Sequence, residues 1–283
     1  YKRLIGDTKS LTTYNNTQKQ ETMLYIPLQF WFCKDVGSSI PLVSLNNTDI
    51  EFHIKFKSLE DCAYWDSTGS FRRTPKLRAH VLANYIYTDP EERKLLTEHR
   101  YENLVTVMNY NDYEYYSKSD LIDDYKIGYD MSFSNPCKEI YWTIQRQKFI
   151  DGTMTYGQKF YHYYGSNGLD GNPISKLKIK FNGRDRESYK DGMYYNYINP
   201  YRCHSRIPND GIFSYSFSLK PEMLQPSGSV NLSKIDDQYV SIGLSDDMVT
   251  NLNNDELFRV RFYSKEINIL RIASGLSGLA FYA

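Results

Sequence analysis

The sequence predicts an all-β fold, built either as a sandwich of two sheets or as a barrel. At least eight segments alternate large apolar residues with polar ones, which is the period of a strand with one buried face. Turn signals separate these segments, and no internal repeat is present. The 27 tyrosines and 14 phenylalanines support the same conclusion, because aromatic residues favour strands.

Three predicted strands lie in the N-terminal third of the chain. Residues 24–32 and 50–57 alternate cleanly, and residues 76–88 form a third candidate. Pro27 cannot donate to a β-ladder, so the first of these strands is expected at a sheet edge or with a bulge. We expect the apolar side chains of the first two strands to face the core, namely Leu24, Ile26, Leu28, Phe30, Phe52, Ile54 and Phe56.

One helix start is clear, and it follows the third candidate strand. Asp89 can cap the helix, Pro90 suits its first position, and Glu92 completes a capping box. The predicted helix is short. Its two leucines, Leu95 and Leu96, are expected to dock it on a sheet edge.

Six further strands are predicted in the rest of the chain, at residues 101–107, 140–144, 176–181, 213–219, 258–262 and 267–272. Their inward side chains should include Leu177, Ile179, Phe181, Phe213, Tyr215 and Phe217. The Asn182-Gly183 dipeptide predicts a turn, and a helical turn is expected within residues 192–199. Residues 147–173 hold three turn dipeptides and are predicted to form an exposed loop at one end of the sandwich.

The charge pattern argues against contact with nucleic acid, and the hydropathy argues against a membrane span. The 34 basic and 34 acidic side chains cancel to a formal net charge of zero, and no block of like charge stands out. Nucleic-acid binding needs a basic surplus or stripe, so no direct contact with nucleic acid is expected. The mean hydropathy is −0.60, and no apolar stretch reaches the length of a membrane span.

No motif for catalysis or metal binding is present. The five histidines show neither His-x-His nor His-Glu-x-x-His spacing, and no Gly-x-Ser-x-Gly elbow occurs. His53 is expected to point to solvent, and His162 to be packed within a loop. We therefore predict no catalytic residue, no cofactor, no metal site and no enzymatic activity. The four cysteines lack Cys-x-x-Cys spacing and are expected to be free thiols: Cys33, Cys62, Cys137 and Cys203.

Five blocks of sequence resemble, in family order, the major capsid proteins of nucleocytoplasmic large DNA viruses. The first is Pro-Leu-Gln-Phe-Trp-Phe within residues 24–32, which resembles the opening of the family's second jelly roll. The others are the strand-to-helix passage at 85–93, the Asn-Gly turn at 181–186, the run from 211 to Gln-Pro-Ser-Gly-Ser at 225–229, and the C-terminal strand at 270–280.

This resemblance implies an antiparallel, eight-stranded jelly-roll sandwich with short helices in the connecting loops. Residues 1–20 are then expected to be the end of a missing N-terminal jelly roll plus a linker, and residues 21–283 the second jelly roll. Because the chain starts at Tyr1 without Met, the biological protein is expected to be longer at its N-terminus.

The resemblance also implies a function. The expected role is that of a structural major capsid protein of a large icosahedral double-stranded DNA virus. Homotrimers would form pseudo-hexagonal capsomers that tile the shell. The implied partners are neighbouring capsomers and minor capsid or cement proteins. The expected location is the virion's capsid shell, assembled in the infected host cell.

Two other functions stay open at this point. A carbohydrate- or receptor-binding jelly-roll module of a virion would use exposed rings on loops such as residues 156–164 for sugar stacking. Rings on a flat exposed platform would favour that module, whereas buried rings would favour a capsid role. A cupin-like enzyme is the third reading, although the clustered histidines that such a metal site needs are not visible in the sequence.

Overall fold

The computed structural model of this protein describes residues 3–6, 8–12, 20–56, 76–150, 162–166 and 171–281. Eleven strands occur in these ranges, and they are β1 (Tyr101–Tyr110), β2 (Glu114–Tyr116), β3 (Lys126–Asp130), β4 (Pro136–Arg146), β5 (Ile174–Phe181), β6 (Arg184–Asp191), β7 (Ile212–Ser216), β8 (Val230–Asn231), β9 (Gln238–Leu244), β10 (Phe258–Ala273) and β11 (Leu276–Leu279).

The helices of these ranges are all short. The α-helices are Lys9–Thr12, Pro90–Glu98, Asn199–Cys203 and Asp246–Asn251, and a π-helical turn, Tyr194–Ile198, precedes the third. The 3₁₀ turns are Trp31–Cys33, Val36–Ser38, Leu42–Ser44, Lys118–Asp120, Asp123–Tyr125, Gln147–Phe149 and Leu232–Lys234.

The strands form two antiparallel sheets with jelly-roll connectivity. One sheet follows the order β1-β10-β4-β7, with β2 and β11 also paired to β10 and β8 paired to β4. The other follows the order β3-β9-β5-β6. The chain therefore passes repeatedly between two four-stranded paths, and the three additional strands extend only the first sheet. This arrangement confirms the predicted fold class.

The central strand of the first sheet is β10, which is 16 residues long. It pairs with β1 over ten residues, from Tyr101 opposite Ile272 to Tyr110 opposite Tyr263. On its other side it pairs with β4. The sequence predicted two separate strands here, at 258–262 and 267–272. They are one strand, because the polar residues between them continue the ladder through a bulge against β4.

The core between the sheets is aromatic and is centred on the fully buried Trp142 of β4. Its ring stacks on Phe213 at 5.9 Å between centroids and on Phe262 at 5.4 Å, and it meets Tyr195 edge-on at 5.3 Å. The three partners come from β7, from β10 and from the π-helical turn. One indole ring therefore joins three segments that are distant in sequence.

The inward side chains predicted for the second half of the chain are confirmed. Leu177, Ile179, Phe213 and Tyr215 are buried. Two further predicted residues, Phe181 and Phe217, are partly buried and pack against this core. The alternation was informative here because each strand has a ladder partner and a facing sheet.

The strands predicted in the N-terminal third are wrong. Residues 24–30, 50–56 and 76–88 form no strand, and residue 57 lies outside the described ranges. The side chains predicted to face the core are between 40 and 62% exposed, and they are Leu24, Ile26, Leu28, Phe30, Phe52, Ile54 and Phe56. A strand needs a ladder partner, and the eleven strands of the sandwich pair only with one another.

The predicted helix is present at Pro90–Glu98. As expected, the Asp89 carboxylate caps it by accepting a hydrogen bond from the Glu92 backbone N–H at 2.8 Å. Its docking was predicted wrongly, since Leu95 is exposed. The helix instead contacts the Leu42–Ser44 turn, where the Ser44 hydroxyl donates to the Leu96 carbonyl at 2.6 Å.

Two other predicted turns are present. Asn182 and Gly183 have φ values of 50° and 74°, the left-handed conformation that an Asn-Gly hairpin turn requires. The helical turn expected within residues 192–199 begins as the π-helical turn and continues through the Asn199–Cys203 helix. Pro200 lies in the first turn of that helix, where a backbone N–H has no hydrogen-bond partner within the helix and its absence costs no bond.

The predicted loop at 147–173 is described only in part, at residues 147–150, 162–166 and 171–173. Phe149 and His162 are buried, with ring centroids 4.0 Å apart. Just before the loop, Arg146 forms a bidentate ion pair with Glu256, with N–O distances of 2.8 and 2.9 Å. Residues 151–161 and 167–170 lie outside the described ranges, so the exposed loop tip stays a prediction.

The aromatic core predicts a graded response to truncation. Phe213→Ala should lower the free energy of unfolding by about 3–5 kcal/mol, because it removes a fully buried ring that stacks on Trp142. Phe217→Ala, at a partly buried ring, should cost clearly less. The matched control is Tyr87→Ala, whose ring is exposed and whose loss should change stability by less than about 0.5 kcal/mol. Denaturant titration of the three variants measures this order, and equal losses at Phe213 and Tyr87 would contradict it.

Candidate functional site

A compact group of titratable side chains lies on the outer face of the first sheet. Glu139 is fully buried there. One of its carboxylate oxygens accepts a hydrogen bond from the Tyr141 hydroxyl, and the other contacts His204 Nε2. The second ring nitrogen, Nδ1, lies 3.4 Å from the Glu222 carboxylate. We call these four residues the His204 cluster.

Three different parts of the chain bring the His204 cluster together. Glu139 and Tyr141 are alternate residues of β4, so both point away from the core. His204 is the C-terminal cap of the Asn199–Cys203 helix. Glu222 comes from the connection after β7 and is held by the Ser205 backbone N–H at 3.2 Å and the Ser205 hydroxyl at 3.1 Å.

The environment shifts the pKa values of this cluster in opposite directions. Burial alone would lower the pKa of His204, but hydrogen bonds and charge from Glu139, and then from Glu222, raise it above its usual value. Burial opposes ionisation of Glu222, yet hydrogen bonds from Ser205 and His204 hold its pKa below the usual range. Burial, followed by Glu139, raises the pKa of Tyr141 far above its ordinary value.

This geometry is that of a structural clamp. An imidazole with a carboxylate at each nitrogen donates from both nitrogens when it is protonated. The cluster then ties three parts of the chain to one another: β4, the Asn199–Cys203 helix, and residues 217–228 between β7 and β8, which we call the 217–228 connection. Ser205 donates to Glu222 and not to His204, so the cluster lacks the nucleophile–base pair of a hydrolase.

A buried lysine secures the same connection at a second point. Lys138 is almost fully buried, and its ammonium donates to the Met223 carbonyl at 2.8 Å and the Leu224 carbonyl at 3.0 Å. Burial, followed by the charges of Lys265 and Lys34, lowers the pKa of Lys138 to about 8. The 217–228 connection is therefore fixed to the outer face of the sheet by an ion-pair cluster and by one cation.

The remaining histidines and cysteines are not gathered into a site. His53 is exposed and contacts only Glu51 among the ion pairs, as expected. His162 is buried against Phe149, which agrees with a packed loop residue. Cys33, Cys137 and Cys203 are free, and Cys62 lies outside the described ranges. Nowhere in the part of the chain that the structure describes do three or more His, Cys, Asp or Glu side chains gather in a way that could hold a metal ion.

Sequence reasoning did not find the His204 cluster. Glu139 and Glu222 lie 65 and 18 residues from His204, and no short motif spans such distances. The only part of the cluster that the sequence pattern could have indicated lies in β4. There Glu139 and Tyr141 alternate with the buried Ile140 and Trp142 and so share the opposite face of the strand. The ring platform proposed at residues 156–164 is described only from 162 onward, where His162 is buried and Tyr163 and Tyr164 are partly exposed.

The connections before and after β7, which supply His204 and Glu222, also carry exposed apolar side chains. They are Met193, Ile198, Tyr201, Leu219 and Met223. Leu219 and Tyr201 are each 77% exposed. We call this set the 193–223 patch. Exposed apolar side chains in such a group are typical of a protein contact surface. No helix that the structure describes is long and apolar enough to cross a membrane.

Two family models match the chain. The model for the major capsid protein of large eukaryotic DNA viruses matches residues 92–278, which include the first ten strands and all but the last residue of β11. The model for the N-terminus of the major capsid protein matches residues 3–89. The stretch at 24–32, which resembles the opening of a second jelly roll, falls within this second range.

Curated relatives and solved structures agree with the family models. "Probable capsid protein 4" of Acanthamoeba polyphaga mimivirus is 24% identical over 99% of the chain and 72% of the relative. The "Major capsid protein" of Phaeocystis pouchetii virus is 26% identical over 92% of the chain. The chain spans only about two-thirds of the length of these relatives, 65% in the second case. The solved structure of PBCV-1 VP54 matches 98% of the chain and 75% of that protein, with a TM-score of 0.69 and 21% identity.

The clamp formed by the His204 cluster predicts a pH-dependent contribution to stability. Because the pKa of His204 is raised in the folded state, its contribution is complete below its unfolded pKa of about 6.5 and is lost as the pH rises through the folded pKa. The lowered pKa of Glu222 has the opposite effect, so that its contribution is lost as the pH falls through its folded pKa. His204→Gln should therefore cost about 1.5–3 kcal/mol near pH 5–6, and the difference from wild type should shrink at higher pH.

Thermal unfolding at a series of pH values measures this difference. The matched control is His53→Gln, because His53 is exposed to solvent and its loss should leave the stability profile unchanged. A deficit of His204→Gln that stays constant from pH 5 to pH 9 would show that the imidazole acts by packing and not by charge.

Proposed function

Because the chain belongs to the family of large eukaryotic DNA virus major capsid proteins, we propose that it is a structural protein of the virion's capsid shell. The observation that carries this proposal is the jelly roll at residues 101–279, which the match to the capsid family model covers up to residue 278. A shell protein must fold stably and present surfaces for contact with its neighbours. The aromatic core and the exposed apolar patch fit those two requirements.

The proposed role involves no catalysis, cofactor or metal. The charged groups that could act in catalysis instead stabilise the fold. Glu139 and His204 are hydrogen-bonded to each other, and Lys138 donates hydrogen bonds to backbone carbonyls. The absence of a motif in the sequence supports the same proposal. Localisation in the capsid shell follows from the family membership.

The proposed domain boundary lies near residue 90. The sequence suggested a boundary after residue 20, with everything beyond it in the second jelly roll. The match of residues 3–89 to the N-terminal family model, together with the start of the sandwich at Tyr101, supports a later boundary. On this proposal the exposed apolar stretches at 24–30 and 50–56 belong to the first jelly roll.

The proposed assembly is a homotrimer that forms a pseudo-hexagonal capsomer. We place one contact between copies at the 193–223 patch, because burial of its exposed side chains would stabilise an interface. A formal net charge of zero favours close approach of identical copies, since no long-range repulsion opposes it. Neighbouring capsomers and minor capsid or cement proteins are the further proposed partners.

Light scattering coupled to size exclusion tests this assembly. The expected mass is about three times 33.3 kDa, because three copies of this chain associate. Leu219→Asp should convert the trimer to smaller species, because it places a charge within the proposed contact. The matched control is Ile122→Asp, at another exposed apolar residue remote from the patch in sequence.

The outcomes separate two claims. A wild-type chain that stays at 33.3 kDa at all concentrations would overturn the trimer. A trimer that survives Leu219→Asp as well as it survives Ile122→Asp would overturn only the placement of the contact at the 193–223 patch.

A further inference from the structure

The outer face of the second sheet carries an ordered group of lysines and tyrosines. Lys176, Lys178 and Lys180 alternate along β5 with the buried Leu177 and Ile179, so all three point outward. The sheet order β3-β9-β5-β6 brings further side chains from the other three strands to the same face. The sequence shows the alternating lysines of β5 but not their neighbours.

Tyr189 of β6 lies at the centre of this group. Its hydroxyl is 2.9 Å from the Ser241 hydroxyl of β9, so the side chain reaches across β5. The ammonium groups of Lys126, Lys176 and Lys178 lie 5.6, 5.8 and 5.3 Å from the centre of its ring. One aromatic ring is therefore surrounded by cations from two strands, and it is 42% exposed.

A second ring extends the same surface. Tyr239 lies two residues before Ser241 on β9, and Lys180 Nζ is 5.9 Å from the centre of its ring. The ring lies over Gly128 of β3 so closely that an added Cβ would stand 2.6 Å from the tyrosine oxygen. Glycine at this position therefore lets Tyr239 lie across the neighbouring strand. We call this surface, with its two rings and four lysines, the Tyr189 face.

The Tyr189 face belongs to the more basic part of a neutral protein. The four strands of the second sheet carry seven lysines and arginines but only four aspartates and glutamates, whereas the whole chain carries 34 of each. One of these acids, Asp185, pairs with Lys178 at 2.7 Å and offsets part of its charge. Because the basic residues of the four strands still outnumber the acidic ones, the surface favours an anionic ligand, and the rings add flat apolar area between the charges.

We propose that the Tyr189 face binds an anionic polysaccharide, a sulfated or carboxylated chain of pyranose rings. The apolar face of a pyranose packs on an exposed aromatic ring, and the hydrogen bond between the Tyr189 and Ser241 hydroxyls holds that ring in place. Sulfate and carboxylate groups on such a sugar extend from its rim, where the lysine ammonium groups lie. Lysine binds such groups as a flexible point charge, so the site recognises spacing and charge more than a single geometry.

Duplex DNA fits this face less well. Its bases are stacked inside the duplex, so the two rings would have no partner, and three or four ammonium groups alone give weak, salt-sensitive attraction to phosphates. The face shares no residue with the 193–223 patch proposed for contacts between copies. Binding of polysaccharide and assembly of trimers can therefore be tested with separate variants.

Binding of the full chain to immobilised heparin, at several salt concentrations, tests the proposal. The triple variant Lys126→Gln, Lys176→Gln, Lys178→Gln should weaken binding at least ten-fold. It should also reduce the slope of log affinity against log salt by about two to three, because each lost contact releases roughly one counterion fewer. Tyr189→Leu should weaken binding several-fold without changing that slope, because it removes a ring and no charge.

The matched control replaces three exposed lysines outside the face, Lys94→Gln, Lys220→Gln and Lys234→Gln. It has the same change in net charge, and its affinity should stay within two-fold of wild type. Desulfated heparin and duplex DNA serve as competitors, and both should compete more weakly than heparin. Unfolding midpoints and trimer mass are measured for every variant, so that loss of fold or of assembly is seen directly.

Four results would overturn the proposal. They are no binding of the wild type to heparin, an equal loss in the control triple variant, competition by duplex DNA as strong as that by heparin, and loss of the trimer together with binding in the Lys→Gln triple variant. The last result would show that the face is a contact between copies. A trimer that is intact while binding is lost supports the proposal, whatever the outcome for the 193–223 patch.

Discussion

Pairing of β10 with both β1 and β4 is the constraint on which the rest of the structure depends. The side chain of Asn109 on β1 bonds to Glu266 on β10 across 157 residues of sequence, so the first and last long strands of the sandwich must meet before the first sheet exists. Closing such a loop costs entropy that only the completed ladder and core repay. Trp142 supplies much of that core, because its ring contacts β7, β10 and the π-helical turn at once.

Burial of polar groups outside the core is the second general feature. Glu266 is fully buried and accepts from Asn109 at 2.5 Å and Asn135 at 2.8 Å, and Glu139 is buried against His204. Each carboxylate removed from water needs such partners to offset its desolvation. The Asn109–Glu266 bond ties β1 to β10, and the contact of Glu139 with His204 ties the Asn199–Cys203 helix to β4. Such bonds hold strands and connections in fixed positions, which suits the proposed structural role.

The sequence allowed the residues of the sandwich core to be predicted, but not which strands and side chains lie next to one another. Alternation identified Ile179 and Phe213 correctly because each lies on a strand with a facing sheet. The same alternation at residues 24–30 led to a wrong prediction. An apolar period of two shows that one face of a segment is apolar, but it does not show whether another part of the protein covers that face. The strand β10 was divided in two because buried Ser264 and Glu266 resemble a polar break. The His204 cluster and the Tyr189 face join residues through strand order, which no local pattern encodes.

Hydrogen exchange on the full chain tests the central claim most directly. If β10 organises the sandwich, the amides of residues 258–264 should exchange only by global unfolding, and they should be the slowest in the protein. Amides at 24–30 should exchange faster by several orders of magnitude, because they have no ladder partner among the eleven strands. Protection at 24–30 that equals protection in β10 would contradict the account, since that stretch would then be a full strand of the fold.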